Sequence, residues 1–112
     1  MVINLNKRMI EKSDIMKEMS DLDVYNLYMK LPDLNVLGKA FNSPLRDDDE
    51  IPSFGFFIGE GGELCFKDWT LGSGDCIKFV MFMFNISYYE ALCKIAVDSN
   101  MDINNFKIKL SF

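Results

Sequence analysis

Four side chains in the middle of the chain, Arg46, Lys67, Trp69 and Lys78, have the chemistry to hold single-stranded nucleic acid. Lysine and arginine meet phosphates, and an aromatic ring stacks on an unpaired base whatever its identity. The same residues also fit a plainer arrangement, a structural salt-bridge cluster around a core tryptophan. The net charge of −5 weighs toward the plainer one, because a dedicated duplex binder carries a surplus of cations. Catalytic chemistry has little to work with. The chain has no histidine, which removes Ser–His and Cys–His nucleophilic pairs. Its three cysteines, Cys65, Cys76 and Cys93, lack CxxC spacing and read as small apolar residues of a reduced protein rather than zinc ligands or disulfide partners. Asp47-Asp48-Asp49-Glu50 reads as a solvated loop, since a catalytic cation site needs its acids on rigid elements. Gly59-Glu60-Gly61-Gly62 and Gly72-Ser73-Gly74-Asp75 lack the lysine and hydroxyl of a phosphate loop and read as turns. No catalytic residue, metal or cofactor is expected.

Local patterns predict the elements that position these residues. Phe54 to Ile58 and Glu63 to Trp69 read as two strands joined at the glycine-rich turn. In the second strand Leu64, Phe66 and Asp68 share one face while Cys65, Lys67 and Trp69 share the other. Asp75 is placed to cap a helix over Cys76–Phe84, where Ile77, Val80, Met81 and Phe84 recur at the spacing of one buried face. Phe82 and Met83 on that helix are left over as a docking surface. Ser87 and Glu90 form a capping box for a last helix to about Asp98, with Ala91, Leu92, Ile95 and Ala96 as its apolar stripe. Upstream, Asn6 to about Ser20 reads as a helix with a partial stripe of Ile10, Ile15, Met16 and Met19. Asp21 or Asp23 caps a second helix to about Lys30, stopped by Pro32. Leu34, Val36 and Leu37 follow before a turn at Gly38. The tail, Phe106 to Leu110, alternates apolar and basic residues, as an edge strand or the start of a linker does.

These 112 residues, 49% hydrophobic and 13% aromatic, suffice for one folded core without disulfides or metal. No apolar run approaches the ~20 residues that span a bilayer. The charged N-terminus lacks the apolar stretch of a signal peptide. A cytoplasmic protein without membrane contact is the expectation.

The order of these pieces resembles the N-terminal zinc-ribbon domain of bacterial and phage DNA primases. Those ribbons run Cys-Pro-Phe-His, a polar loop, Pro-Ser-Phe, a hairpin, a second ligand pair, Gly-Gly-Asp and two apolar helices. Here Ser43-Pro44-Leu45-Arg46 stands at the first pair, and Pro52-Ser53-Phe54 matches unchanged. Lys67 and Thr70 fall on the second pair, followed by Gly74-Asp75 and Ile77-Lys78-Phe79-Val80. Ser87-Tyr88-Tyr89-Glu90-Ala91-Leu92 is similar to the start of the family's last helix. The resemblance covers residues 40–98 and is nearest to metal-less segments of phages and mobile elements. It divides the chain into an N-terminal helical segment (1–38), a zinc-ribbon-like domain (39–98) and a tail (99–112).

All four ligand positions, Ser43, Arg46, Lys67 and Thr70, carry residues that do not ordinarily bind zinc. The resemblance therefore implies a cluster of Ser43, Arg46, Lys67, Asp68 and Thr70 in place of the metal, with Arg46 paired to Asp68. Such a cluster does not match the ~10 kcal/mol of a structural zinc, so packing of Phe54, Phe56, Phe66 and Trp69 is expected to take a larger share. The fold class expected is α+β: a small antiparallel sheet on the hairpin, flanked by N-terminal helices and two C-terminal helices, zinc-ribbon-like without zinc. The implied role is binding of template DNA in primer synthesis, beside replication proteins such as a helicase or a primase catalytic domain. The chain alone is not expected to catalyse. The alternative is a protein–protein interaction module that kept the fold and lost DNA binding.

Overall fold

A computed structural model of the chain describes residues 7–31, 36–47 and 51–109. The elements run β1 (Arg8–Met9), α1 (Lys12–Glu18), α2 (Asp21–Tyr28), β2 (Ala40–Phe41), β3 (Phe54–Ile58), β4 (Leu64–Asp68), β5 (Gly72–Gly74), α3 (Cys76–Phe84), α4 (Tyr88–Asp98) and β6 (Phe106–Lys107). The fold is α+β, with four helices among the described residues and an antiparallel sheet in the order β2-β3-β4-β5. In the central hairpin Phe56 lies opposite Phe66. Its turn holds Gly62 at φ 84°, a left-handed conformation that glycine adopts without a Cβ clash.

Sequence and structure agree most closely where the caps are local. Asp75 accepts the Lys78 N–H at the start of α3, and Ser87 and Glu90 exchange hydrogen bonds at the start of α4. Ala91, Leu92, Ile95 and Ala96 are all buried.

Three expectations change. The segment from Asn6 to Ser20 is not one helix. Arg8–Met9 pairs in parallel with Phe106–Lys107, and the helix begins only at Lys12. Asp14 sets that boundary: its carboxylate accepts the Glu11 N–H at 2.8 Å and two hydrogen bonds from Arg8 at 2.5 and 2.9 Å. The Arg8 guanidinium also lies 4.8 Å over the Phe106 ring. Second, α2 is capped by Ser20 rather than by Asp21 or Asp23. Asp23 closes the box, and Asp21 instead accepts the Leu64 N–H at 3.1 Å, tying α2 to β4. Third, Gly72–Gly74 is a strand, because the outer side of β4 offers it a ladder. Asn6, Pro32, Leu34, Asp48–Glu50 and Leu110 lie outside the described residues.

The core sits between sheet and helices. Tyr25, Phe54, Phe56, Phe66 and Phe79 are buried and meet mostly edge to face at centroid distances from 4.8 to 6.0 Å. That geometry adds to their burial energy. Tyr25 also donates its hydroxyl to the Leu64 carbonyl at 3.0 Å. Ile15 and Val24 from the N-terminal helices join the same core. The three cysteines are buried and unpaired. Burial, with Asp21 adjacent, pushes the Cys76 thiol well up. Among the described residues no single helix is long and apolar enough to cross a membrane.

Candidate nucleic-acid interface

Asp68, at the end of β4, faces the core side of the sheet with 1% of its surface exposed. A carboxylate in that position needs its acceptor sites filled. Ser43 donates its hydroxyl to Oδ2 at 2.5 Å and accepts the Leu45 N–H at 3.1 Å. Arg46 Nε reaches both carboxylate oxygens at 3.3 Å. The N–H groups of Thr70 and Leu71 donate to Oδ1 at 2.8 and 2.9 Å. Arg46 extends the network by donating from Nη2 to the Ser53 hydroxyl at 2.6 Å. Burial alone would push the Asp68 carboxyl up. The hydrogen bonds from Ser43, the Leu71 and Thr70 amides and Arg46 outweigh it and hold the carboxyl below its ordinary range.

This hub joins three separate segments: the Ser43–Arg46 corner, Ser53 before β3, and the end of β4. Ser43, Arg46, Asp68 and the backbone of Thr70 come together. Lys67 does not join them, because a strand sends successive side chains to opposite faces. Ser53 and the Leu71 amide are members that the ligand-position comparison missed. Pro52-Ser53-Phe54 marked the place, but the spacing of a metal site gives no reason to look beyond four positions.

Lys67 and Trp69 occupy the other face of the sheet. The Lys67 ammonium lies 5.6 Å from the centre of the Trp69 ring, and Trp69 is 61% exposed. Trp69 is therefore not a core residue, and the core packing expected of it falls to Phe79 and Tyr25. Its ring reaches over Gly55 on the neighbouring strand. A Cβ at Gly55 would stand 3.8 Å from the ring and 3.1 Å from the Lys39 carbonyl oxygen. The glycine thus permits a close approach of ring and backbone. Lys39, Gly55, Phe57, Lys67, Trp69 and Ser73 line an open cavity of about 490 Å³ on this face. Lys39 and Gly55 were not legible as site residues, since only strand pairing brings them beside Lys67.

The four residues singled out for nucleic-acid contact do not converge on one surface. Arg46 has 14% of its side chain exposed and is engaged by Asp68 and Ser53. Lys78 belongs to α3, where its stem crosses Gly74 on the core side of β5 and its ammonium lies 5.5 Å from the Phe82 ring. Lys67 and Trp69 remain together, with Lys39 added. No group of three or more cysteine, aspartate or glutamate side chains suited to a metal converges among the described residues. No protein-family model matches the chain, and no match was found among curated proteins or solved structures.

Proposed function

We propose that this chain is a single-stranded-DNA-binding module of a phage or mobile-element DNA primase. On this proposal its fold is a zinc ribbon in which the side chains around Asp68 stand in for the metal. The module holds template for primer synthesis and does not itself transfer nucleotides. A helicase or a primase catalytic domain is the partner class. One observation carries the proposal: Lys67 and Trp69 lie side by side on an exposed sheet face, over Gly55 and beside Lys39. An unpaired base stacks on the Trp69 ring while the lysines meet the flanking phosphates.

Titrating the protein into fluorescently labelled oligothymidylate at low salt tests this. Salt-sensitive binding is expected, weakened by Lys67→Glu. Absence of binding at low salt refutes it. A protein-interaction module is the second possibility, favoured by the net charge of −5 and by Phe57 and Ile58, 39% and 52% exposed on the strand beside β4.

A further inference from the structure

The outer edge of the sheet at β5 carries a different kind of site. Backbone groups along β4 alternate between its two neighbours. The Trp69 N–H bonds the Ser53 carbonyl at 3.0 Å, and the Gly59 N–H bonds the Glu63 carbonyl at 2.8 Å. Residues 65, 67 and 69 therefore bond toward β3, and Phe66 and Asp68 bond toward β5, opposite Gly74 and Gly72. This leaves the N–H and C=O of Ser73 pointing out of the sheet.

Gly72 and Gly74 have no side chains to shield that edge or to cover the helix beneath it. Beside them lies a groove of about 450 Å³ lined by Leu71, Met81, Phe82, Asn85 and Ile86. Leu71 is 43% exposed. Two cations flank the edge, Lys67 opposite Ser73 on one face and Lys78 above Phe82 on the other. Natural proteins usually blunt an open edge with charge on the strand, a proline or a bulge. Here the strand itself is Gly-Ser-Gly.

We propose that β5 receives an extended segment of a partner protein as a fifth strand of the sheet. Its backbone pairs with the N–H and C=O of Ser73. Alternation then sends the side chain opposite Ser73 to the Lys67 face and its neighbours to the groove face. The matching segment carries acidic residues toward Lys67 and apolar residues toward Leu71 and Phe82, with Lys78 at the groove rim. Charge favours this occupant over a second copy of the chain, which would set the same two lysines against themselves.

The test uses ¹⁵N-labelled protein and two peptides, one alternating valine with glutamate and one alternating valine with lysine. The glutamate peptide is expected to shift the Ser73 amide and its neighbours in β5 and α3, saturably, and the lysine peptide is not. Ser73→Pro removes the outward N–H, together with the hydroxyl, at a position where an edge strand tolerates proline. Its spectrum should keep the β3–β4 dispersion while affinity falls about tenfold, as loss of an interfacial hydrogen bond and added crowding predict. Lys67→Glu, which reverses the charge that the peptide glutamates face, should weaken binding without touching the backbone pairing. Equal binding by Ser73→Pro, equal binding of both peptides, shifts confined to residues away from β5, or no saturation with the glutamate peptide overturns the proposal. So does peptide-free, concentration-dependent dimerisation through Ser73, which would make a second copy the occupant.

Discussion

Replacing Asp68 with alanine removes the acceptor that joins three segments. The side chain is fully buried and Arg46 is 14% exposed, so the pair is screened little by solvent. Removing one partner of a buried pair costs about 3–5 kcal/mol, because the other charge is left uncompensated. Here the Ser43 hydroxyl and the Thr70 and Leu71 amides also lose their acceptor. Arg46 can still swing partly toward solvent and keeps Ser53, which places the cost within that range rather than above it. Unfolding entropy of ~2.1 cal/mol/K per residue makes each kcal/mol worth about 4 °C in a chain of this length. The expected loss is therefore about 12–20 °C in Tm, at least about a fifth of the stability of a domain of about 5–15 kcal/mol. Urea titration followed by far-UV circular dichroism, with thermal melts, measures it. Arg46→Met should cost less, about 1–3 kcal/mol, since Asp68 keeps its three other donors. A double-mutant cycle then isolates their coupling. If Asp68→Ala lies within about 1 kcal/mol of the parent, the hub does not hold the fold together and the reasoning fails.

Other perturbations separate stability from binding. The folded-state carboxyls of Asp14, Asp68, Asp75 and Glu90 are all held below their ordinary values, Asp14 at about 2 by the Arg8 hydrogen bonds and the Glu11 amide. A depressed carboxyl stabilises the fold above its unfolded pKa and loses that contribution as pH falls toward its folded one. Stability measured by urea titration should be flat near neutrality and decline from about pH 5 downward; rising stability across that range contradicts the assignment. Ser87→Ala should cost about 1 kcal/mol by freeing the Glu90 amide at the start of α4, read from the urea midpoint. Trp69→Ala should change the melting temperature little, because the ring is mostly exposed, while abolishing salt-sensitive oligothymidylate binding. A large stability loss in that variant would return Trp69 to a structural role.

The local signals held because their causes are local. Capping at Asp75 and Ser87 depends on residues three apart, and the apolar stripe of α4 depends on helical period alone. Helix α3 departs from its expected stripe, since Ile77 and Val80 are buried but Phe84 is 39% exposed and Phe79 takes a core place instead. The central hairpin was legible from two strand patterns around a glycine turn, and strand alternation, which puts Lys67 and Asp68 on opposite faces, overrides the shared cluster that the resemblance implied. The Arg46–Asp68 pairing was expected on the strength of a resemblance, and the structure brings those two side chains together through Ser43 as well.

What lay beyond the sequence was most contacts set by a distant partner. Arg8–Met9 forms a strand because Phe106–Lys107 pairs with it from the far end of the chain. Gly72–Gly74 reads as a turn until β4 supplies its ladder. Trp69 has the composition of a core residue and lies outside the core. Its position is decided by the pairing that sets Gly55 beneath its ring, together with the buried place already taken by Asp68 on the other face. Gly55 and Lys39 enter the site only through the β2–β3–β4 register. Sequence by itself determined α3, α4, the hairpin and the two faces of β4, since those follow from periodicity and from hydrogen bonds within a few residues. Tertiary structure alone decided which side chains meet across strands, because register and burial depend on segments far apart in the chain.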